Sequence, residues 1–156
     1  MTKQEFLRLA HRFPVAAAVK SNDDMQVALE SDALLLFVLK GDAFQIEPFV
    51  AQAHQKGKGI VIHVDLVGGI GKDRAGIQYL HQIGVDAVIT SRSQLVAAGR
   101  AEGLITIQRL LLIDDSALET GVRTIARAAP DFIEVLPGII FPEVASILQH
   151  MLPGPF

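Results

Sequence analysis

Cysteine and tryptophan are both absent from the 156 residues, and the sequence contains no long apolar run. Without cysteine the chain can form neither disulfides nor thiolate nucleophiles, and it offers zinc no sulfur ligands. The five histidines are scattered without metal-ligand spacing, so we expect no metal and no cofactor. No run approaches the ~20 apolar residues that a membrane-spanning helix needs, and the amino terminus lacks a signal-peptide pattern. We therefore expect a cytoplasmic protein without a membrane partner.

An excess of positive charge is missing as well. The formal net charge is -3 and the pI is about 5.9. Proteins that coat nucleic acids do so by neutralising phosphates, so this charge argues against a broad surface of that kind and leaves only a local basic patch. Half of the residues are apolar, which is enough for a sizeable core, and we expect residues 1–156 to form a single domain.

The sequence does contain a regular alternation of apolar runs and amphipathic segments. Segments with helical spacing of apolar residues separate six apolar runs of strand length. The predicted strands are residues 15–19, 33–39, a run that begins at residue 59, 85–89, 105–113 and 132–136. This alternation is typical of α/β folds with a parallel sheet and right-handed crossovers. Before the first strand, Thr2 and Glu5 predict a capping box at the start of a short helix.

Polar residues recur at the ends of most predicted strands, which favours a TIM-barrel-like (β/α) fold over an open doubly wound sheet. A complete barrel of eight units usually takes ~250 residues, whereas this chain supplies six βα units. We therefore expect an incomplete barrel in which strands seven and eight are absent, with residues 153–156 resembling the entry to a seventh strand. Uncovered edges of such a sheet are a liability, so the chain should form a homo-oligomer or be truncated.

The polar residues at the strand ends are the candidate functional residues. A buried strand gains nothing from ionisable or amide side chains unless partners satisfy them, so their presence suggests a shared site. A satisfied core histidine with a capping aspartate is the alternative for the third strand. The candidates are Lys20, His63, Asp65, Gln108, Arg109 and Glu134.

Ser91 belongs to a different kind of feature. Residues 90–93 place hydroxyls and a guanidinium directly before a predicted helix, as at a helix start that binds an anion. An ordinary serine cap explains the same residues.

Five strings of the sequence together resemble the GlpP-type glycerol-3-phosphate-responsive antiterminator family. They are residues 15–20 (VAAAVK), 63–69 (HVDLVGG), 86–92 (DAVITSR), 106–116 (TIQRLLLIDDS) and 130–138 (PDFIEVLPG). The resemblance implies a TIM-barrel-like regulator, not an enzyme, that senses glycerol 3-phosphate. It also implies binding to the leader of a glycerol-utilisation messenger RNA, which prevents transcription termination. Family members continue into two further segments that resemble the phosphate-binding loops of barrels.

The implied effector has a dianionic phosphate and two hydroxyls, which assigns roles to the candidates. Arg109 and Lys20 would serve phosphate binding or charge balance, and Ser91 would contact the ligand at the helix start. The remaining candidates would orient the ligand or bind its hydroxyls: His63, Asp65, Gln108 and Glu134.

Three alternatives stay open from the residues alone. Arg109 could pair with Glu134 or Asp65 as a satisfied polar layer of the barrel interior. A phosphosugar isomerase or aldolase could use Asp65 or Glu134 as a base and His63 as an acid. A remnant that senses nothing and only dimerises is the third.

Overall fold

The computed structural model describes residues 1–151 and forms a curled half-barrel of six parallel strands in sequential order. The strands are β1 (Ala17–Val19), β2 (Leu35–Val38), β3 (Gly59–His63), β4 (Ala87–Thr90), β5 (Ile105–Leu111) and β6 (Phe132–Leu136). The helices are α1 (Lys3–Arg12), α2 (Asn22–Glu30), α3 (Ala43–Gln55), α4 (Arg74–Gln82), α5 (Ser93–Ala101), α6 (Asp115–Ala128) and α7 (Phe141–Met151). A 3₁₀ turn, Gly138–Ile140, precedes α7. The expected TIM-barrel-like fold with six βα units is confirmed.

The two faces of the sheet have separate apolar cores because side chains alternate along each strand. The outer face packs against the helices, with Ile60 and Ile62 of β3 among its fully buried residues. The inner face of the sheet includes Val61, Ile89 and Ile107 and packs against α1. Odd-numbered residues of β3, β4 and β5 therefore face the interior of the half-barrel.

The leading helix α1 lies across the amino-terminal ends of the strands. The predicted capping box is present, since Thr2 and Glu5 bond reciprocally at its start. Phe6 is buried, and its ring centroid lies 5.0 Å from that of Phe132 at the start of β6. Lys3 forms an ion pair with Asp131 at 3.6 Å. Because α1 occupies this end, the carboxyl ends of the strands are left for a site.

Several strands are shorter than the sequence predicts. β1 begins at Ala17, β2 spans four residues, and β5 ends at Leu111. In each case the apolar run extends past the residues that pair with a neighbouring strand, at one end or at both. Apolar character reports burial, whereas a strand also requires a partner for its backbone.

The two ends of the sheet are open within residues 1–151, because β1 pairs only with β2 and β6 only with β5. The predicted entry to a seventh strand, residues 153–156, lies outside the described residues. In the part of the chain that the structure describes, no helix is long and apolar enough to cross a membrane.

Candidate functional site

Five of the seven predicted site residues come together at the carboxyl ends of the strands, and one of them, Ser91, follows β4 and donates to Asp65. His63 ends β3, Asp65 follows it, and Arg109 and Glu134 lie on the inner face of β5 and β6. The charges of Asp65, Arg109 and Glu134 all act on the His63 ring, which places the four side chains in one electrostatic neighbourhood. The expected convergence at one mouth of the half-barrel is therefore present.

Arg109 and Glu134 form an ion pair on neighbouring strands. The strand register sets the two residues opposite each other, and Nε of Arg109 donates to Oε2 of Glu134. Both side chains are partly buried, with 20% and 27% of their surfaces exposed. Within residues 1–151 no other hydrogen bond reaches this guanidinium, so its two terminal nitrogens can still donate to a ligand.

His63 is buried, with 2% of its surface exposed, and neither ring nitrogen has a hydrogen-bond partner among the described residues. Burial lowers the pKa of its imidazole, and the Arg109 guanidinium lowers it further, whereas the carboxylates of Asp65 and Glu134 act in the opposite direction. The neutral ring is thus favoured, which provides one donor and one acceptor. A satisfied core histidine, the alternative for this position, is not what the structure shows.

Asp65 lies in the turn after β3 rather than in the strand, and its side chain reaches the loop between β4 and α5. Oδ2 accepts hydrogen bonds from the Thr90 hydroxyl at 2.9 Å, the Ser91 amide at 2.8 Å and the Ser91 hydroxyl at 3.2 Å. Oδ1 lies 3.1 Å from Nε of Arg92. Burial alone raises the pKa of this carboxyl, but the hydrogen bonds from Ser91 and Thr90 outweigh it and the net pKa is lowered. Asp65 is therefore ionised, and its carboxylate links the turn after β3 to the loop between β4 and α5.

The start of α5 is not a serine cap. Its N-cap residue is Arg92, which makes no side-chain capping bond, and the hydroxyl of Ser91 is directed to Asp65 instead. The first amide groups of α5 consequently lack the side-chain acceptor that caps α1, α2, α3, α4 and α6. Uncapped amides beside Arg92 suit a negatively charged group.

Lys72 belongs to this neighbourhood and is not one of the residues predicted from the sequence. Its Nζ donates to the carbonyl of Val67 at 2.7 Å and to the carbonyl of Val64. Burial lowers the pKa of Lys72, the Asp65 carboxylate raises it and the Arg92 guanidinium lowers it again. Two cations, Lys72 and Arg92, therefore stand near Asp65. The only sequence signal is the position of Lys72 at the end of the glycine-rich loop.

Two predicted site residues do not join the cluster. Lys20 is exposed and lines a shallow cleft between the starts of α2 and α3, together with Lys40 and Asn22. Gln108 is buried, but it precedes Arg109 in β5 and so faces the helices, on the same side as Leu110. Adjacent residues of a strand cannot line the same face, so Gln108 and Arg109 cannot both point into the half-barrel.

Comparisons with known proteins agree with this architecture. The model of a family described as "Glycerol-3-phosphate responsive antiterminator" matches residues 15–156. The Escherichia coli (strain K12) protein YgcP, described as uncharacterised, is 35% identical over 133 residues, which are 85% of this chain and 70% of that protein.

Two solved structures are similar as well. A glycerol uptake operon antiterminator regulatory protein from Listeria monocytogenes has a TM-score of 0.81 and 34% identity, covering 86% of this chain and 74% of the other. A glycerol uptake operon antiterminator-related protein from Thermotoga maritima has a TM-score of 0.77 and 26% identity, covering 85% and 76%. The isomerase or aldolase alternative is therefore wrong. The chain belongs to the glycerol-3-phosphate responsive antiterminator family, whose members are regulators and not enzymes.

Proposed function

We propose that this chain binds glycerol 3-phosphate at the carboxyl-end cluster and, in response, binds the leader of a glycerol-utilisation messenger RNA to prevent termination. The observation that carries the effector site is the buried, unpartnered His63 beside the Arg109–Glu134 pair. Buried polar groups without partners are rare in folded proteins, and a ligand is one of the explanations for them.

The phosphate end of the effector is assigned to the start of α5. Lys72, Arg92 and the uncapped amides supply positive charge and donors, which a phosphate dianion requires. Asp65 holds the loop in place and offsets part of the positive charge of the two cations when no effector is bound. The hydroxyl end is assigned to the inner face, at Arg109 and Glu134.

Replacement of Arg109 tests this assignment against a purely structural ion pair. A ligand present at 100 times its Kd stabilises the folded chain by about 2.7 kcal/mol. We expect Arg109→Met to lose most of the stabilisation by glycerol 3-phosphate in a thermal-shift titration. Arg123→Met is the matched control, since Arg123 makes only exposed contacts, an ion pair with Glu119 at 3.8 Å and a hydrogen bond to the Thr120 hydroxyl at 3.2 Å. If Arg109→Met lowers the Tm of the free chain but binds the effector like the wild type, the pair is a structural layer only.

The RNA surface is not assigned to particular residues. Several basic residues that the sequence offers are already engaged: Lys56 pairs with Glu30, Arg100 donates to the carbonyl of Ala128, and Lys58 is buried. RNA binding in response to an effector requires the effector to favour the RNA-competent state by differential affinity. The loops at the site are the elements through which this preference would act.

Self-association is part of the proposal. The sheet is open at β1 and β6 within the described residues, and Leu111, Ile113, Ile139 and Phe141 are exposed near the ends of β5 and β6. Open edges and exposed apolar groups favour association with another chain. Sedimentation velocity over a concentration series should show species heavier than 16.8 kDa. A single monomeric species at all concentrations would contradict this part.

A further inference from the structure

His63 combines deep burial with two unpartnered ring nitrogens, an arrangement that the rest of the molecule does not explain. The residue is 2% exposed and makes no side-chain hydrogen bond among the described residues, whereas Arg109 donates to Glu134, and Oδ2 of Asp65 accepts from Thr90 and Ser91. A buried polar group left without a partner costs about 1–3 kcal/mol. The ring is therefore expected to receive its partner from outside the chain.

The surroundings of the ring select the kind of group that it can receive. One cation and two carboxylates act on His63: Arg109 on β5, Glu134 on β6 and Asp65 in the turn after β3. The cation is already paired with Glu134. A phosphate placed against the ring would be repelled by the two neighbouring carboxylates, whereas a neutral group would not.

The hydrogen-bonding capacity of the ring also favours a neutral group as its partner. A neutral imidazole has one donor and one acceptor, and a phosphate dianion can only accept. A hydroxyl group donates and accepts, as the neutral ring does. Glu134 adds an acceptor and the terminal nitrogens of Arg109 add donors next to it.

We infer that His63 is the specificity-determining residue of the site and that it binds a free hydroxyl of the effector, while the phosphate lies toward Lys72 and Arg92. This inference rests on the proposed function and assigns the two ends of the effector to different residues. The class of effector is a small phosphate ester that carries a hydroxyl group away from its phosphate.

Comparison of effector analogues tests the inference. Isothermal titration measures glycerol 3-phosphate, propyl phosphate and inorganic phosphate against the wild type, His63→Phe and His63→Gln. His81→Gln, at an exposed position of α4, is the control. We expect the wild type to prefer glycerol 3-phosphate over propyl phosphate by at least about tenfold, since a buried group left unpaired costs that much. His63→Phe should lose this preference and still bind inorganic phosphate, and His63→Gln should regain part of it.

A second measurement on the unaltered chain does not depend on the folding of a variant. The ¹⁵N resonances of the His63 ring should shift on addition of glycerol 3-phosphate and stay those of a neutral ring. An unchanged His63 spectrum at saturating effector overturns the inference, and so does a His63→Phe variant that keeps the full preference. If the wild type binds no glycerol 3-phosphate at all, the proposed function itself is wrong, which is a separate result.

Discussion

Burial of His63 makes the stability of the free chain depend on pH. The folded pKa is lowered by burial and by Arg109, and the unfolded pKa is about 6.5, so protonation opposes folding. Stability is fully present above about pH 6.5 and is lost as the pH falls from there toward the folded pKa. We expect His63→Phe to remove this loss.

Urea unfolding at pH 7.5 and pH 5.5 measures the effect as a difference between variants. The drop in the free energy of unfolding between the two pH values should be smaller in His63→Phe than in the wild type. His81→Gln, on the exposed face of α4, should resemble the wild type. An equal drop in His63→Phe and the wild type would show that His63 is accessible to protonation in the folded chain.

Lys56 and Lys58, which are separated by one residue, provide a second comparison between single residues. Lys58 is 6% exposed, and its Nζ donates to the carbonyls of Ala28, Ser31 and Ala33. We expect Lys58→Met to destabilise the chain by about 2–4 kcal/mol, because buried carbonyls lose a charged donor. Lys56→Met removes only an exposed pair with Glu30 and should cost about 0–1 kcal/mol. Chemical denaturation of both variants checks this, and equal effects would refute it.

The sequence predicts part of the site at the residue level. His63, Arg109 and Glu134 could be expected to meet because the carboxyl ends of parallel strands lie at one edge of the sheet. His63 and Arg109 share the inner face, and the strand register sets Glu134 opposite Arg109. Lys72 could not be predicted, because its position depends on the path of a loop, which no periodicity encodes. Gln108 faces the helices, and its separation from Arg109 follows from strand alternation alone.

At the level of elements, hydrogen bonds connect each loop at the carboxyl ends of the strands to the next one. Gly68 exchanges backbone hydrogen bonds with the start of α3, donating to Gly41 at 2.8 Å and accepting from Ala43 at 3.1 Å. Lys72 holds the same loop to the turn after β3, and Asp65 holds that turn to the start of α5. A ligand that orders one loop therefore affects its neighbours.

The close contact between α4 and the loop before it predicts that a larger residue at Gly76 destabilises the chain. A Cβ on Gly76 would lie 1.9 Å from the carbonyl oxygen of Gly71, so the helix or the loop must shift. We expect Gly76→Ala to destabilise the chain by about 1–3 kcal/mol through overpacking. It should also weaken effector binding, because the loop carries Lys72.

Gly138→Ala is the matched control for Gly76→Ala. A Cβ at Gly138 meets nothing within 4 Å, and its φ is not positive, so this variant should be nearly neutral. Thermal unfolding and effector titration of the two variants provide the comparison. Wild-type stability in Gly76→Ala would mean that the loop is looser than the structure shows.

Element types were predictable from the sequence, but element ends were not. Each of the six apolar runs contains a strand, because a strand buried on both faces reads as a continuous apolar segment. The ends of β1, β2 and β5 depend on where the neighbouring strand stops pairing, which is a property of the sheet. For the same reason the sequence does not show that β3 ends at His63 and that Asp65 lies in the turn after it.

For the whole molecule, alternating strands and helices predicted a parallel, barrel-like sheet, and residues 1–151 form one. The position of α1 across the amino ends of the strands was not predictable, because an amphipathic helix does not specify which apolar surface it will cover. That position leaves the opposite end of the half-barrel for the proposed effector site.

At the scale of the whole molecule, the proposed response to the effector is a change in RNA binding. We expect retention of leader RNA in a filter-binding assay to fall as salt rises, since phosphate contacts depend on counterion release. Glycerol 3-phosphate should increase retention at a fixed salt concentration, because it favours the RNA-competent state. A scrambled RNA of equal length is the control. Retention that is indifferent to the effector, or equal for both RNAs, would contradict the RNA part of the proposal.

The central claim is that the cluster at the mouth of the half-barrel binds a phosphorylated polyol. A thermal-shift panel of glycerol 3-phosphate, inorganic phosphate and glycerol on the wild-type chain tests it most directly. The account predicts a saturable rise in Tm with glycerol 3-phosphate that exceeds the rise with either part alone, because both ends of the site are then filled. A Tm that does not change with glycerol 3-phosphate, or that changes equally with inorganic phosphate, would contradict it.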